Sequence, residues 1–122
     1  MERTYFIIDD DLLQNEIQTI LLKKVDPQAI VYSFTSSLAA LAVIDKGSIP
    51  DLIFLDLHIP GEETADFLEI HRERNCPADI YLMSSVAYMD DPHLFDEYPA
   101  IKDFISKPLL DYKLRAILSQ FV

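Results

Sequence analysis

The chain has 122 residues, half of them hydrophobic and a quarter charged, with 21 acidic against 10 basic side chains and a formal net charge of −11. That length supports one domain with a real core and not two, and the acidity argues against non-specific nucleic-acid binding, which runs on basic patches. No apolar run approaches the ~20 residues of a membrane span, "MERTYFIIDD" reaches acid too soon for a signal peptide, and the lone Cys76 suits a reduced, cytoplasmic compartment.

The first element is "TYFII" (4–8), a β-branched and aromatic run that ends in Asp9, Asp10 and Asp11. Leu13, Ile17, Ile20 and Leu21 then recur at helical spacing, which predicts one apolar helix face, with Asp11 as N-cap and Asp26-Pro27 as the stop. "AIVYSF" (29–34) reads as a second strand, and "TSSLAALAVIDKG" (35–47) as a helix stopped by Gly47. "DLIFL" (51–55) is apolar throughout, as a strand buried on both faces should be. A helix near 62–74 carries Thr64, Phe67, Leu68 and His71 on one side, and "DIYLM" (79–83) is the fourth strand. Pro92 predicts the start of a short helix, "IKDFI" (101–105) is the fifth strand, and Leu110, Leu114, Ile117, Leu118 and Phe121 mark a helix through 109–121. Five strands alternating with five helices imply right-handed crossovers and a parallel sheet covered on both faces: a doubly wound α/β domain.

In such a sheet the site lies beyond the carboxyl ends of the strands. Strand one is followed by Asp9 and Asp10, strand three by Asp56, strand four by Ser84 and Ser85, and strand five by Ser106 and Lys107. Carboxylates held close together repel one another, so full ionisation calls for a cation, and a few carboxylate oxygens suit Mg²⁺. A carboxylate beside Mg²⁺ can attack phosphorus, while Lys107 neutralises the incoming group and the Ser84 hydroxyl bonds to it. Taken singly, these residues have plainer roles: Asp9 or Asp10 as caps, Ser84 as a turn hydroxyl, Lys107 as a solvated lysine, Phe104 as core. His71 reads as a structural histidine and His93 as a surface one; three scattered histidines and one cysteine have no zinc-ligand spacing.

"IIDDD", "DLIFLDLHIPG", "YLMSS" and "FISKP" resemble, in order and spacing, the motifs of the response-regulator receiver domain of bacterial two-component signalling. The resemblance spans essentially all of residues 1–122 as one receiver domain, with no output domain in the chain. It implies the flavodoxin-like strand order 2-1-3-4-5 and a cis Lys107–Pro108 peptide. It implies Asp56 as phosphoacceptor, with Asp9, Asp10, Asp56 and the His58 backbone carbonyl around Mg²⁺, for which Mn²⁺ can substitute. Lys107 and Ser84 would complete the catalytic set, Ser84 and Phe104 would form the switch, and His58 and Val86 would tune phosphoryl lifetime. The implied partners are a histidine kinase or histidine phosphotransfer protein and a downstream protein target, reached through the surface of helix 4, strand 5 and helix 5. A homodimer is a further option; direct nucleic-acid and membrane contacts are not expected. The receiver would catalyse only its own phosphorylation and dephosphorylation.

The sequence departs from the family pattern at several points: serine for the commoner threonine at 84, Ser85 for alanine, Phe104 for tyrosine, Pro99-Ala100 before strand five, and no glycine in "EETAD". Two other functions compete. A degenerate receiver would bind partners without phosphorylation. A phosphatase of the haloacid-dehalogenase type also forms an aspartyl phosphate, but it wants a second aspartate where His58 stands.

Overall fold

The computed structural model describes residues 2–85 and 93–121. Its strands are β1 (Thr4–Ile8), β2 (Ile30–Phe34), β3 (Leu52–Asp56), β4 (Asp79–Ser84) and β5 (Ile101–Ser106). They alternate with α1 (Leu12–Val25), α2 (Ser37–Asp45), α3 (Thr64–Glu73), α4 (Leu94–Glu97) and α5 (Asp111–Leu118), and a 3-10 turn, Ser119–Phe121, follows. The strands pair in parallel in the order β2-β1-β3-β4-β5, as expected. The reversal of strand order falls at β1 and β3, so the ends of these two strands open the crevice in which an α/β sheet binds its ligand.

The central strands are buried on both faces, which their unbroken apolar runs require. On one face Phe6, Ile8, Ile53 and Leu55 pack with Ala40 and Ile44 of α2 and Phe67 and Leu68 of α3. On the other, Tyr5, Ile7, Leu52 and Phe54 pack with Leu22 of α1 and Leu114, Ile117 and Leu118 of α5. Asp11 caps α1 as predicted, its Oδ1 accepting from the Leu13 and Gln14 N–H groups. Gly47 adopts φ +101° just past α2, where a side chain would be strained.

The apolar stripe predicted on α1 faces mostly outward, and of its four residues only Leu21 is partly buried against the core. Leu13, Ile17 and Ile20 are 62 %, 49 % and 63 % exposed, and the buried residues of this helix are Asn15, Gln18 and Leu22. The physical reason lies at Asn15, whose Nδ2 donates to the Asp9 and Phe34 carbonyls and so turns the polar side of the helix toward the sheet. Leu110 is likewise 41 % exposed and stands at the N-cap of α5 rather than in its buried stripe. The segment around Pro92 lies outside the described residues, and the helix that follows it, α4, is a single turn.

Candidate functional site

The sequence builds the site by ending buried strands in carboxylates. β3 is buried along its whole length and delivers Asp56 at its last position, 6 % exposed. β1 ends one residue before Asp9, which is 1 % exposed, whereas the adjoining Asp10 faces solvent. β5 leads through Ser106 to Lys107, and the Lys107–Pro108 peptide is cis. Ser84 closes β4, fully buried and in register with Ser106; its carbonyl accepts from the Lys107 N–H at 2.7 Å.

Lys107 Nζ bridges the two buried acids, 2.6 Å from Asp9 Oδ2 and 3.3 Å from Asp56 Oδ2. The opposite oxygens are held by backbone donors: Asp11 N–H to Asp9 Oδ1 at 3.0 Å, and His58 N–H to Asp56 Oδ1 at 3.1 Å. Each of Asp9, Asp10 and Asp56 offers one carboxylate oxygen to a cluster in which these atoms lie within 4.8 Å of one another. Three carboxylates and one ammonium leave a formal charge of −2, which a divalent cation would neutralise. An all-oxygen donor set suits a hard ion such as Mg²⁺, which keeps several waters and needs only one or two carboxylates directly. The residues present therefore fit the metal expected from the sequence.

Burial raises the Asp56 carboxyl above its ordinary range, and the nearby Asp9 charge adds to this; the His58 N–H and Lys107 pull the other way. For Lys107, burial opposes the charge. The Asp9 hydrogen bond and the Asp56 charge outweigh it and hold the ammonium above its usual range. Lys107 is thus a fixed cation at any physiological pH, while Asp56 bears an ionisation penalty that added positive charge would relieve.

Asp9, Asp10, Asp56 and Lys107 come together as the sequence reading expected, with Ser84 on the neighbouring strand end. Phe104 is half-buried against the α2–α3 side of the core and lines the groove between β5 and α5. Val86 lies outside the described residues. His71 is remote from this cluster: it is buried on α3, its Nε2–H donating to the Ala78 carbonyl at 3.0 Å, and burial lowers its pKa. The sequence reading missed two residues. Asn15 ties the end of β1 to the end of β2. Glu62 accepts from the Ser37 N–H at 3.0 Å and so fastens the loop after β3 to the start of α2. The only signal for Asn15 was a polar residue four positions after the Asp11 cap; Glu62 gave none.

A five-stranded parallel sheet with buried carboxylates at its switch point is an α/β domain whose acidic strand ends suit a hard cation. Residues 5–119 match the family model described as the response regulator receiver domain, and the chain belongs to that family. It is 26 % identical over 115 residues to the transcriptional regulatory protein MalR of Bacillus subtilis (strain 168), covering 94 % of this chain and 48 % of MalR. The chain thus spans about half the length of that curated relative. Among solved structures, the CheY-like receiver domain from Methylobacillus flagellatus superposes with a TM-score of 0.82 at 17 % identity, with both chains fully covered. The response regulator TrrA from Thermotoga maritima, in complex with Mg²⁺ and beryllium fluoride, gives 0.80 at 18 % identity, covering 98 % of this chain and 99 % of that one. At these identities the structural likeness speaks for the fold. Receiver domains are signalling modules of two-component systems and bind Mg²⁺. Among the described residues no helix is long and apolar enough to cross a membrane.

Proposed function

We propose that Asp56 accepts a phosphoryl group from a phosphohistidine of a histidine kinase or histidine phosphotransfer protein. The observation that carries this reading is the placement of Asp56 at the end of a fully buried strand, in contact with Lys107 and clustered with Asp9 and Asp10. A carboxylate oxygen of Asp56 attacks phosphorus, the P–N bond to the donor imidazole breaks, and the leaving imidazole takes up a proton. Asp9, Asp10 and Asp56, with the His58 backbone carbonyl, would hold Mg²⁺, which supplies the charge neutralisation that phosphoryl transfer needs. Lys107 pairs with the phosphoryl oxygens, and the Ser84 hydroxyl donates to one of them. Both groups act where charge accumulates, and Lys107 already stands beside Asp56 before transfer.

Formation of the phosphoryl bond draws Ser84 and then Phe104 toward the site and alters the surface of α4, β5 and α5 that a downstream protein reads. His58 and Val86 set how long the phosphoryl group survives. His58→Asn is expected to change the dephosphorylation rate at least about threefold with little effect on stability, and an unchanged rate would remove His58 from this role. A protein donor is supported by the exposed apolar side chains of α1, Leu12, Leu13, Ile17 and Ile20, which begin directly after the acidic cluster.

The test is phosphorylation of the purified protein by a small phosphodonor, with and without Mg²⁺, beside Asp56→Asn. An acid-stable, base-labile phosphate that needs Mg²⁺ and vanishes in the variant is expected. No phosphate on a folded protein would leave a module that binds partners without phosphorylation.

A further inference from the structure

α2 and α3 lie on the same sheet face and are tied at both ends. Arg74 Nε meets Asp45 Oδ1 at 2.7 Å where the two helices finish, and the Ser37 N–H donates to Glu62 where they begin. Between the ties runs an open trough of about 400 Å³. Buried Leu41 and Phe67 form its floor with half-buried Ile70, and Leu38 stands at its lip, 77 % exposed. The α3 wall carries Glu62, Glu63 and Asp66, and among the described residues none of the three takes part in an ion pair. Glu63 and Asp66 at the start of α3 also favour its helix dipole, which does not explain an apolar floor left open beside them.

We propose that this trough docks a cationic amphipathic helix of a partner protein, its apolar side chains filling the trough and its lysines or arginines meeting Glu63 and Asp66. Three features select this occupant. An apolar floor with an exposed leucine at its lip fits the spaced apolar anchors of a helix laid in a groove. An acidic wall without cationic partners calls for positive charge along one flank of that helix. A chain of net charge −11 repels an anionic lipid surface and a second copy of itself. Glu62 also lines the small space beside Asp56, so an occupant would touch the loop that follows the strand end. Docking itself does not require phosphorylation, so it is tested on the unphosphorylated protein and its failure leaves the phosphorylation reading intact.

The probe is a synthetic helix about 16 residues long, with leucine at i, i+3, i+4 and i+7 and lysine at most other positions, titrated into ¹⁵N-labelled protein. Two control peptides replace either every lysine by glutamate or every leucine by serine. The expected result is saturable binding, with amide shifts concentrated in residues 36–41 and 61–70. Affinity should fall at least about tenfold in Leu38→Gln and in Glu63→Lys/Asp66→Lys, and neither control peptide should bind. All three positions are exposed, and an otherwise unchanged amide spectrum verifies that the variants fold. The proposal is overturned by shifts centred on α1 or on the β5–α5 groove, by binding of the serine control, or by no binding. Association with vesicles of equal phosphatidylserine and phosphatidylcholine would likewise overturn it, pointing to a lipid surface instead.

Discussion

Helices α1 and α5 pack on the same face of the sheet and spend their apolar residues in opposite ways. α5 turns Leu114, Ile117 and Leu118 inward and leaves Tyr112 to solvent, as an amphipathic core helix should. α1 buries Asn15 and Gln18 beside Leu22 and turns Leu12, Leu13, Ile17 and Ile20 outward. Its packing is the poorer for it: among the described residues Asn15 Oδ1 and Gln18 Oε1 are buried without a hydrogen-bond partner, an arrangement that costs about 1–3 kcal/mol per group. The return is local. Asn15 fixes the backbone at Asp9, and the outward stripe adjoins the acidic cluster. One helix therefore serves the core, while its neighbour ties down the strand end that carries Asp9.

Substitutions can sharpen or break this contrast. The largest effect is expected at Leu114, which is fully buried among Tyr5, Leu22 and their neighbours. Leu114→Ala should cost about 2–5 kcal/mol, read as a lower urea midpoint. A smaller effect of opposite sign is expected at Gln18: replacing the buried amide by methionine should stabilise by about 1 kcal/mol. If Gln18→Met is destabilising instead, the inner face of α1 is better satisfied than its geometry indicates. The smallest change in stability belongs to Ile17→Ser, within about 0.5 kcal/mol. That variant should nevertheless slow transfer from a phosphorylated protein donor while leaving the small-phosphodonor reaction alone. Equal rates with both donors would deny α1 a docking role.

Most of the fold was legible because β1, β3 and β4 are short apolar runs closed by a polar residue. β1 begins and ends where the sequence placed it, and β3, β4 and β5 extend only one residue past their predicted ends. The cluster of Asp9, Asp10, Asp56 and Lys107 was legible for the same reason, since topology brings strand ends to one edge. The orientation of α1 was not. Periodicity finds an apolar stripe but cannot say whether it faces in or out, and the deciding bonds from Asn15 reach carbonyls 6 and 19 residues away in the chain. Glu62 escaped because its partner, the Ser37 N–H, is a backbone group 25 residues distant.

The central claim is that Asp56, and neither of its acidic neighbours, carries the phosphoryl group. Borohydride reduction of the phosphorylated protein converts an acyl phosphate to an alcohol, which peptide mass spectrometry locates. The account predicts homoserine at position 56, formed only after incubation with Mg²⁺ and the phosphodonor. Reduction at Asp9 or Asp10, or at no aspartate of a folded and phosphodonor-treated protein, would contradict it.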